Sequence, residues 1–234
     1  MNPRIIVALD FSNQNDALSL INELNPKECA LKIGSEMFTL FGPDFVRTLV
    51  NKNYNVFLDL KFHDIPNTVA HACKAAAELG VWMINVHTSG GLKMMQAARE
   101  ALTNFGPHKP LLIGVTVLTS MASQELLTIG VNSSLEEQIS LQTKLAEQAG
   151  LDGVVCSAHE VQLVKSLCGQ SFLTITPGIR LLTDNSNDQV RIMSPKEALD
   201  LGSDYLVIGR PITQAKNPQA VVNSIISTIT NLPT

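Results

Sequence analysis

Eight short aliphatic runs recur along the chain at fairly even intervals: Ile5–Leu9, Cys29–Ile33, Val56–Leu58, Val81–Val86, Leu111–Val117, Gly153–Cys156, Phe172–Ile175 and Tyr205–Ile208. Each has the length of a strand, and their alternation of apolar and polar residues is weak. Strands buried on both faces of a parallel sheet read this way. Parallel neighbours need a crossover, usually a helix, and helix-like segments fill the gaps. Asn67–Leu79 follows Pro66 and stops at Gly80. Ser134 and Ser194 each have a glutamate three residues on, Glu137 and Glu197, which is a capping-box pattern. Gly150 and Gly202 close those helices, and Pro195 supplies proline at a first helical position. Asn217-Pro218 opens a last helix, and 15–24, 91–102 and 158–167 carry weaker helical signals. Eight strands alternating with helices predict an α/β fold, a (β/α)8 TIM barrel forming a single domain over residues 1–234. A doubly wound open sheet would normally show a glycine-rich turn after an early strand. Here Leu9 is followed by Asp10-Phe11-Ser12-Asn13.

Composition narrows the partners. The net charge of −4 gives no global basic field to attract polyanions, and aromatics at 5% are too few for base-stacking platforms, so no nucleic-acid partner is expected. No apolar run approaches the ~20 residues of a membrane helix, and the N-terminus lacks a signal-peptide pattern. Cys29, Cys73, Cys156 and Cys168 are widely spaced with no CxxC pair, which reads as small core residues in a reducing, cytoplasmic setting.

A barrel carries its site at the C-terminal ends of its strands, and polar residues collect there. Strand 1 ends in Asp10, and strand 2 carries Lys32 among aliphatics. Strand 3 delivers Asp59 and Lys61, with Asp64 just beyond on the exit loop. Residues two apart on a strand share a side, so Asp59 and Lys61 should project together. Strand 4 ends Asn85-Val86-His87-Thr88, strand 5 runs into Thr119-Ser120, and strand 6 gives Ser157. Strand 7 gives Pro177-Gly178-Ile179-Arg180, and strand 8 gives Gly209-Arg210. A lysine amid aliphatics loses its proton or finds a carboxylate, and Asp10 and Asp59 are the natural partners of Lys32. The loops after strands 7 and 8 often bind phosphate, with glycine allowing backbone approach and arginine binding bidentately. The polar stretch 180–193 is long for a β/α loop and reads as a lid, with Arg180 and Gln189 able to reach a phosphate. His63, His71, His87, His108 and His159 form no HExxH and no obvious ligand cluster, so no metal site is expected; His87 reads as structural. No P-loop or nucleophile elbow is present.

These residues resemble the orotidine 5′-phosphate decarboxylase family over nearly the whole chain. The family's D-x-K-x-x-D-[IV]-x-x-T core is complete from Asp59 to Thr68. Leu31-Lys32-Ile33-Gly34, Val115–Ser120, Pro177-Gly178-Ile179-Arg180, Gln189 and Gly209-Arg210 match in order. The resemblance implies cofactor-independent decarboxylation of orotidine 5′-phosphate to UMP and CO2, the last step of pyrimidine nucleotide synthesis. Asp10 and Lys32 would bind the ribose hydroxyls, Asp59 would sit beside the substrate carboxylate, and Lys61 would protonate C6. Asp64 would reach the neighbouring subunit's site across a homodimer interface, with Ile65 and Thr68 lining the same shared site. Thr119 and Ser120 would touch the pyrimidine, and Arg180, Gln189, Gly209 and Arg210 would hold the 5′-phosphate. Fixed charges in a Lys32-Asp59-Lys61-Asp64 array would favour a carbanion-like transition state without reorganising. Two rivals remain. Sugar-phosphate decarboxylases or aldolase-like synthases share D-x-K-x-x-D but hold Mg²⁺ partly through an acidic residue on strand 2, where this chain has Lys32. A catalytically dead phosphate-binding module would carry costly buried charges to no use.

Overall fold

All eight aliphatic runs are strands. The computed structural model describes residues 3–180 and 193–230. In it β1 (Ile5–Leu9), β2 (Cys29–Gly34), β3 (Val56–Phe62), β4 (Met83–His87), β5 (Leu111–Val115), β6 (Gly153–Val155), β7 (Leu173–Thr176) and β8 (Tyr205–Ile208) form a closed barrel in chain order. Every pairing is parallel, and β8 closes onto β1 with Ile5 opposite Leu206 and Val7 opposite Ile208. The expected barrel is the fold found.

Around it run α1 (Gln14–Asn22), α2 (Ser35–Asn51), α3 (Pro66–Glu78), α4 (Leu92–Ala101), α5 (Ser123–Thr128), α6 (Leu135–Gln148), α7 (Val161–Cys168), α8 (Pro195–Asp200), α9 (Arg210–Thr213) and α10 (Pro218–Thr230). The two capping boxes form as the spacing requires. The hydroxyls of Ser134 and Ser194 accept from the backbone N–H of Glu137 and Glu197, at 3.2 and 3.3 Å, and each glutamate carboxylate accepts from the cap's own N–H. No described helix is long and apolar enough to cross a membrane.

Two elements depart from expectation. The 17-residue α2 lies between β2 and β3, where the sequence pattern offered no helix. Gly42 stands inside it at φ 66° with Pro43 next, so two helical pieces meet at a kink and the apolar period breaks in the middle. β3 carries Asp59 and Lys61 as expected and ends at Phe62, but its pairing with β4 shifts register between Leu58 and Phe62, which a regular pleat does not anticipate.

The barrel lumen has its own core. Ile6, Ala8, Ala30, Phe57, Met83, Ile113, Ile175 and Val207 pack together, separately from the larger core between strands and helices. They are one phase of the strand alternation. The other phase, including Val7, Leu31, Leu58 and Ile84, faces the helices and is equally apolar, so the sequence alternates only weakly. Carried upward two residues at a time, the lumen phase leads from Ala8 to Asp10, from Ala30 to Lys32, from Phe57 to Asp59 and from Met83 to Asn85.

Polar staples close the floor. The buried Lys165 donates to Asp204 at 2.7 Å and to the carbonyls of Gln170 and Phe172, while Asp204 also accepts from the N–H and hydroxyl of Thr174. Asp152 likewise accepts from Arg99 and from the N–H of Leu112. Cys29, Cys73 and Cys156 are buried and Cys168 half-buried, all as free thiols. Burial pushes Cys29 and Cys73, both core residues, up to about 12, and Cys168 up to about 11.

Candidate active site

Where the lumen phase turns polar, a cavity of about 270 Å³ opens at the C-terminal mouth. Ala8, Phe57, Val155, Ile175 and Val207 make its apolar base, and Asp10, Lys32, Asp59, Lys61, Thr119, Arg180, Gly209 and Arg210 line it above. Four cationic side chains thus meet two carboxylates, so the cavity favours a small, multiply anionic ligand.

Asp59 is the hub. It is 8% exposed. Its Oδ1 accepts from Lys61 Nζ at 2.7 Å and from Asn85 Nδ2 at 2.7 Å, and Lys32 Nζ lies 3.2 Å from Oδ2. Burial alone would raise its carboxyl. The Lys32 and Lys61 ammoniums, with the hydrogen bonds from Lys61 and Asn85, outweigh burial and hold it below the ordinary value. Asp10 stands 3.9 Å from Lys32 with its own side chain largely in solvent. Gly34 leaves room for the Lys32 head, since a Cβ there would lie 3.4 Å from Nζ.

Asp59 and Lys61 do project together, but not through a regular pleat. Lys61 has φ 51°; among described non-glycine residues only Asn53 shares a positive φ. Lysine pays about 1–2 kcal/mol for the left-handed region, and Asn tolerates it better. The strained lysine is therefore held by its surroundings, in part by its N–H donating to Asn85 Oδ1 at 2.8 Å. His87, half-buried two residues beyond Asn85, meets His63 with ring centroids 5.5 Å apart and planes tilted by 39°; burial, then the neighbouring His63 and Lys61, push its imidazole down.

Other expected residues stand elsewhere. Asp64, Ile65 and Thr68 are exposed and lie outside the cavity of their own chain, with Ile65 66% exposed. Asp64 forms no ion pair among the described residues; its Oδ1 accepts from the N–H of Ile65 at 2.6 Å. Within one chain, then, Lys32, Asp59 and Lys61 assemble and Asp64 does not join them. Ser120 is exposed and does not line the cavity, whereas Thr119 does. Gln189 lies outside the described residues, as does most of the expected lid. Its two ends meet, with Arg180 N–H donating to Met193 O at 3.0 Å and Met193 N–H to Gly178 O at 3.3 Å. Asn85 is the residue that sequence reasoning passed over. A lone amide within an apolar strand gave no signal beyond its place at a strand end.

The sequence from residue 3 to 225 matches the family model described as orotidine 5′-phosphate decarboxylase / HUMPS family. Orotidine 5′-phosphate decarboxylase of Legionella pneumophila strain Corby is 60% identical over 226 residues, 97% of this chain and 99% of that protein. The protein of the same name from Vibrio cholerae serotype O1 is 57% identical over 228 residues, again 97% and 99%. Among solved structures, the orotidine 5′-phosphate decarboxylase of Lactobacillus acidophilus superposes with a TM-score of 0.88 at 36% identity, covering 99% of this chain and all of that one.

Proposed function

The chain belongs to the orotidine 5′-phosphate decarboxylase / HUMPS family, and on that premise we propose that it is a carboxy-lyase converting orotidine 5′-phosphate to UMP and CO2. The observation that carries this reading is the pairing of buried Asp59 with two ammoniums, just above the apolar base of a cavity whose cationic side chains outnumber its carboxylates. Arg180, Gly209 and Arg210 would grip the phosphate, Asp10 and Lys32 the ribose, and Thr119 the pyrimidine. That grip would seat the C6 carboxylate beside Asp59, where repulsion adds to the drive for its loss. The C6–carboxylate bond breaks, its electron pair stays on C6, and CO2 departs. Lys61 faces the developing charge, passes a proton from Nζ to C6, and regains one from solvent. Charges already fixed in place need no rearrangement at that moment.

The reaction as read needs no metal or cofactor. Lys32, 3.2 Å from Asp59, puts an ammonium where a Mg²⁺-dependent relative would use an acidic ligand. Exposed Asp64, Ile65 and Thr68 fit a homodimer in which each subunit completes the other's site. The central test is a spectrophotometric assay of orotidine 5′-phosphate loss with EDTA present. Turnover unaffected by the chelator is expected; an inert protein, or one stopped by EDTA, would sink the reading. The shared site has its own test. Lys61→Ala and Asp64→Ala chains, each inactive, should recover roughly a quarter of wild-type activity when mixed, since half of the randomly paired dimers carry one intact site. No recovery in mixed dimers would show that Asp64 serves its own chain.

A further inference from the structure

We infer that Asn85 is a positioning residue: its carboxamide stands in for one ladder bond that β3 loses beside it, holds the Asp59 carboxylate with its other group, and so fixes Asp59 and Lys61 in their working geometry. The reaction it serves rests on the decarboxylase reading; the geometry does not.

The register shows the loss. Phe57 pairs with Met83 and Leu58 with Ile84, but the next pair is Phe62 with Val86. In an unbroken ladder Leu60 would face Val86. β3 therefore carries two residues more than its neighbour has places for, and Asp59, Leu60 and Lys61 all stand opposite Asn85. Extra residues in a bulge lose their ladder partners, and a buried N–H without one is costly. Asn85, fully buried, supplies a backbone partner at one end of the tripeptide and a side-chain partner at the other. Its Oδ1 accepts from the Lys61 N–H at 2.8 Å, and its Nδ2 donates to Asp59 Oδ1 at 2.7 Å. Neither atom can exchange places, because the N–H only donates and the ionised carboxylate only accepts. The Asp59 oxygen so held is the one that also accepts from Lys61 Nζ. One side chain thus fixes the left-handed backbone of Lys61 and the carboxylate that orients its ammonium.

An ionised aspartate at this place lacks the donor, and an alanine lacks both groups. The arginines proposed for the phosphate follow β7 and β8, across the barrel from β3. Loss of Asn85 should therefore disturb the reacting end and spare the anchoring end. The charged groups near the carboxamide are Asp59 and Lys61 on β3, Lys32 on β2 beyond Asp59, and His87 and His63 at the rim.

Asn85→Ala and Asn85→Asp, checked for folding by circular dichroism, are assayed on orotidine 5′-phosphate beside the wild type from acid to alkaline pH. Asn85→Ala should lower kcat about 10²-fold with KM little changed. In Asn85→Asp the introduced carboxyl can donate to Asp59 only when protonated, so kcat relative to wild type should climb as pH falls. A packing role alone would leave that ratio flat. A folded Asn85→Ala with kcat within about twofold of wild type, or a flat ratio in Asn85→Asp, would overturn the inference; should the alanine variant not fold, the isosteric aspartate variant decides. An inactive wild type would instead remove the decarboxylase reading. The crystal structure of Asn85→Asp at alkaline pH would then judge Asn85: the Asp59 carboxylate should turn away from the introduced carboxylate, and Asp59 retained in place would count against it.

Discussion

At the floor of the barrel, Lys165 directs its ammonium at three acceptors, Asp204 and two backbone carbonyls, between 2.7 and 3.0 Å. Three N–H donors meet three acceptors, and the Asp204 oxygen takes two further bonds from Thr174. At the mouth, one buried carboxylate faces two ammoniums, and the other carboxylate near them, Asp10, is 3.9 Å from Lys32 and largely exposed. Lys61 has one protein acceptor among the described residues, Asp59. The same two residue types are thus saturated at one end and left with surplus positive charge at the other. A saturated buried pair is costly to break because removing either partner strands the other. A surplus of charge, held in a cavity and unspent on protein acceptors, is available to a ligand. The floor spends its charges on the fold, and the mouth keeps some for a ligand.

Substitutions should separate the two ends. The largest effect belongs to Lys61→Ala: turnover of orotidine 5′-phosphate should fall by about 10⁴-fold or more, while UMP binding measured by calorimetry survives in part. Stability should move by less than about 1 kcal/mol, because Asp59 keeps Lys32 and Asn85. A large loss of stability in this variant would make the mouth another structural pair. Arg210→Ala should lower kcat/KM by about 10³-fold, beyond the loss of one charge-assisted bond. Unchanged kcat/KM would remove Arg210 from the phosphate site. At the floor the pattern reverses. Lys165→Met should cost about 3–5 kcal/mol in denaturant unfolding and leave the kcat of the folded protein as it was. A variant that unfolds normally but turns over slowly would erase the contrast.

The smallest effect concerns acid. Asp59 has a folded value below that of an unfolded aspartate, about 3.9, so between the two values the native state binds fewer protons than the unfolded one. Its contribution to stability is complete above that unfolded value and is lost as pH falls through the lower folded one. The melting temperature of the wild type minus that of Asp59→Asn should therefore shrink as the solution is taken from neutral to strongly acid. A gap that holds constant or widens would mean that Asp59 is not stabilised by its lysines.

Most of the fold was legible because its strands are short, apolar and evenly spaced, and because two serines carry capping boxes. The 17-residue α2 was not legible: Gly42-Pro43, a turn signal anywhere else, here marks a kink inside a helix. At the site, strand-end position alone brought Asp10, Lys32, Asp59, Lys61, Thr119, Arg180, Gly209 and Arg210 to one cavity. The left-handed Lys61 and its partner Asn85 could not be read, because a bulge is a mismatch between two strands distant in sequence. Asp64, Ile65 and Thr68 lie exposed beyond the cavity of their own chain, where strand-end position gives no guide.

The strand alternation gives the lumen a reading frame. Phe57, Asp59 and Lys61 are in frame with it; Leu58, Leu60 and Phe62 are out of frame and face the helices. Loops above the mouth can gain or lose residues without disturbing this frame, provided that Thr119, Arg180, Gly209 and Arg210 keep their places at the cavity. A single deletion between Val56 and Leu58 would exchange the two sets, sending Asp59 and Lys61 into the helix layer and leucines into the lumen. Length change in this protein is therefore confined to its connections, and within β3 the chemistry can vary only one letter at a time.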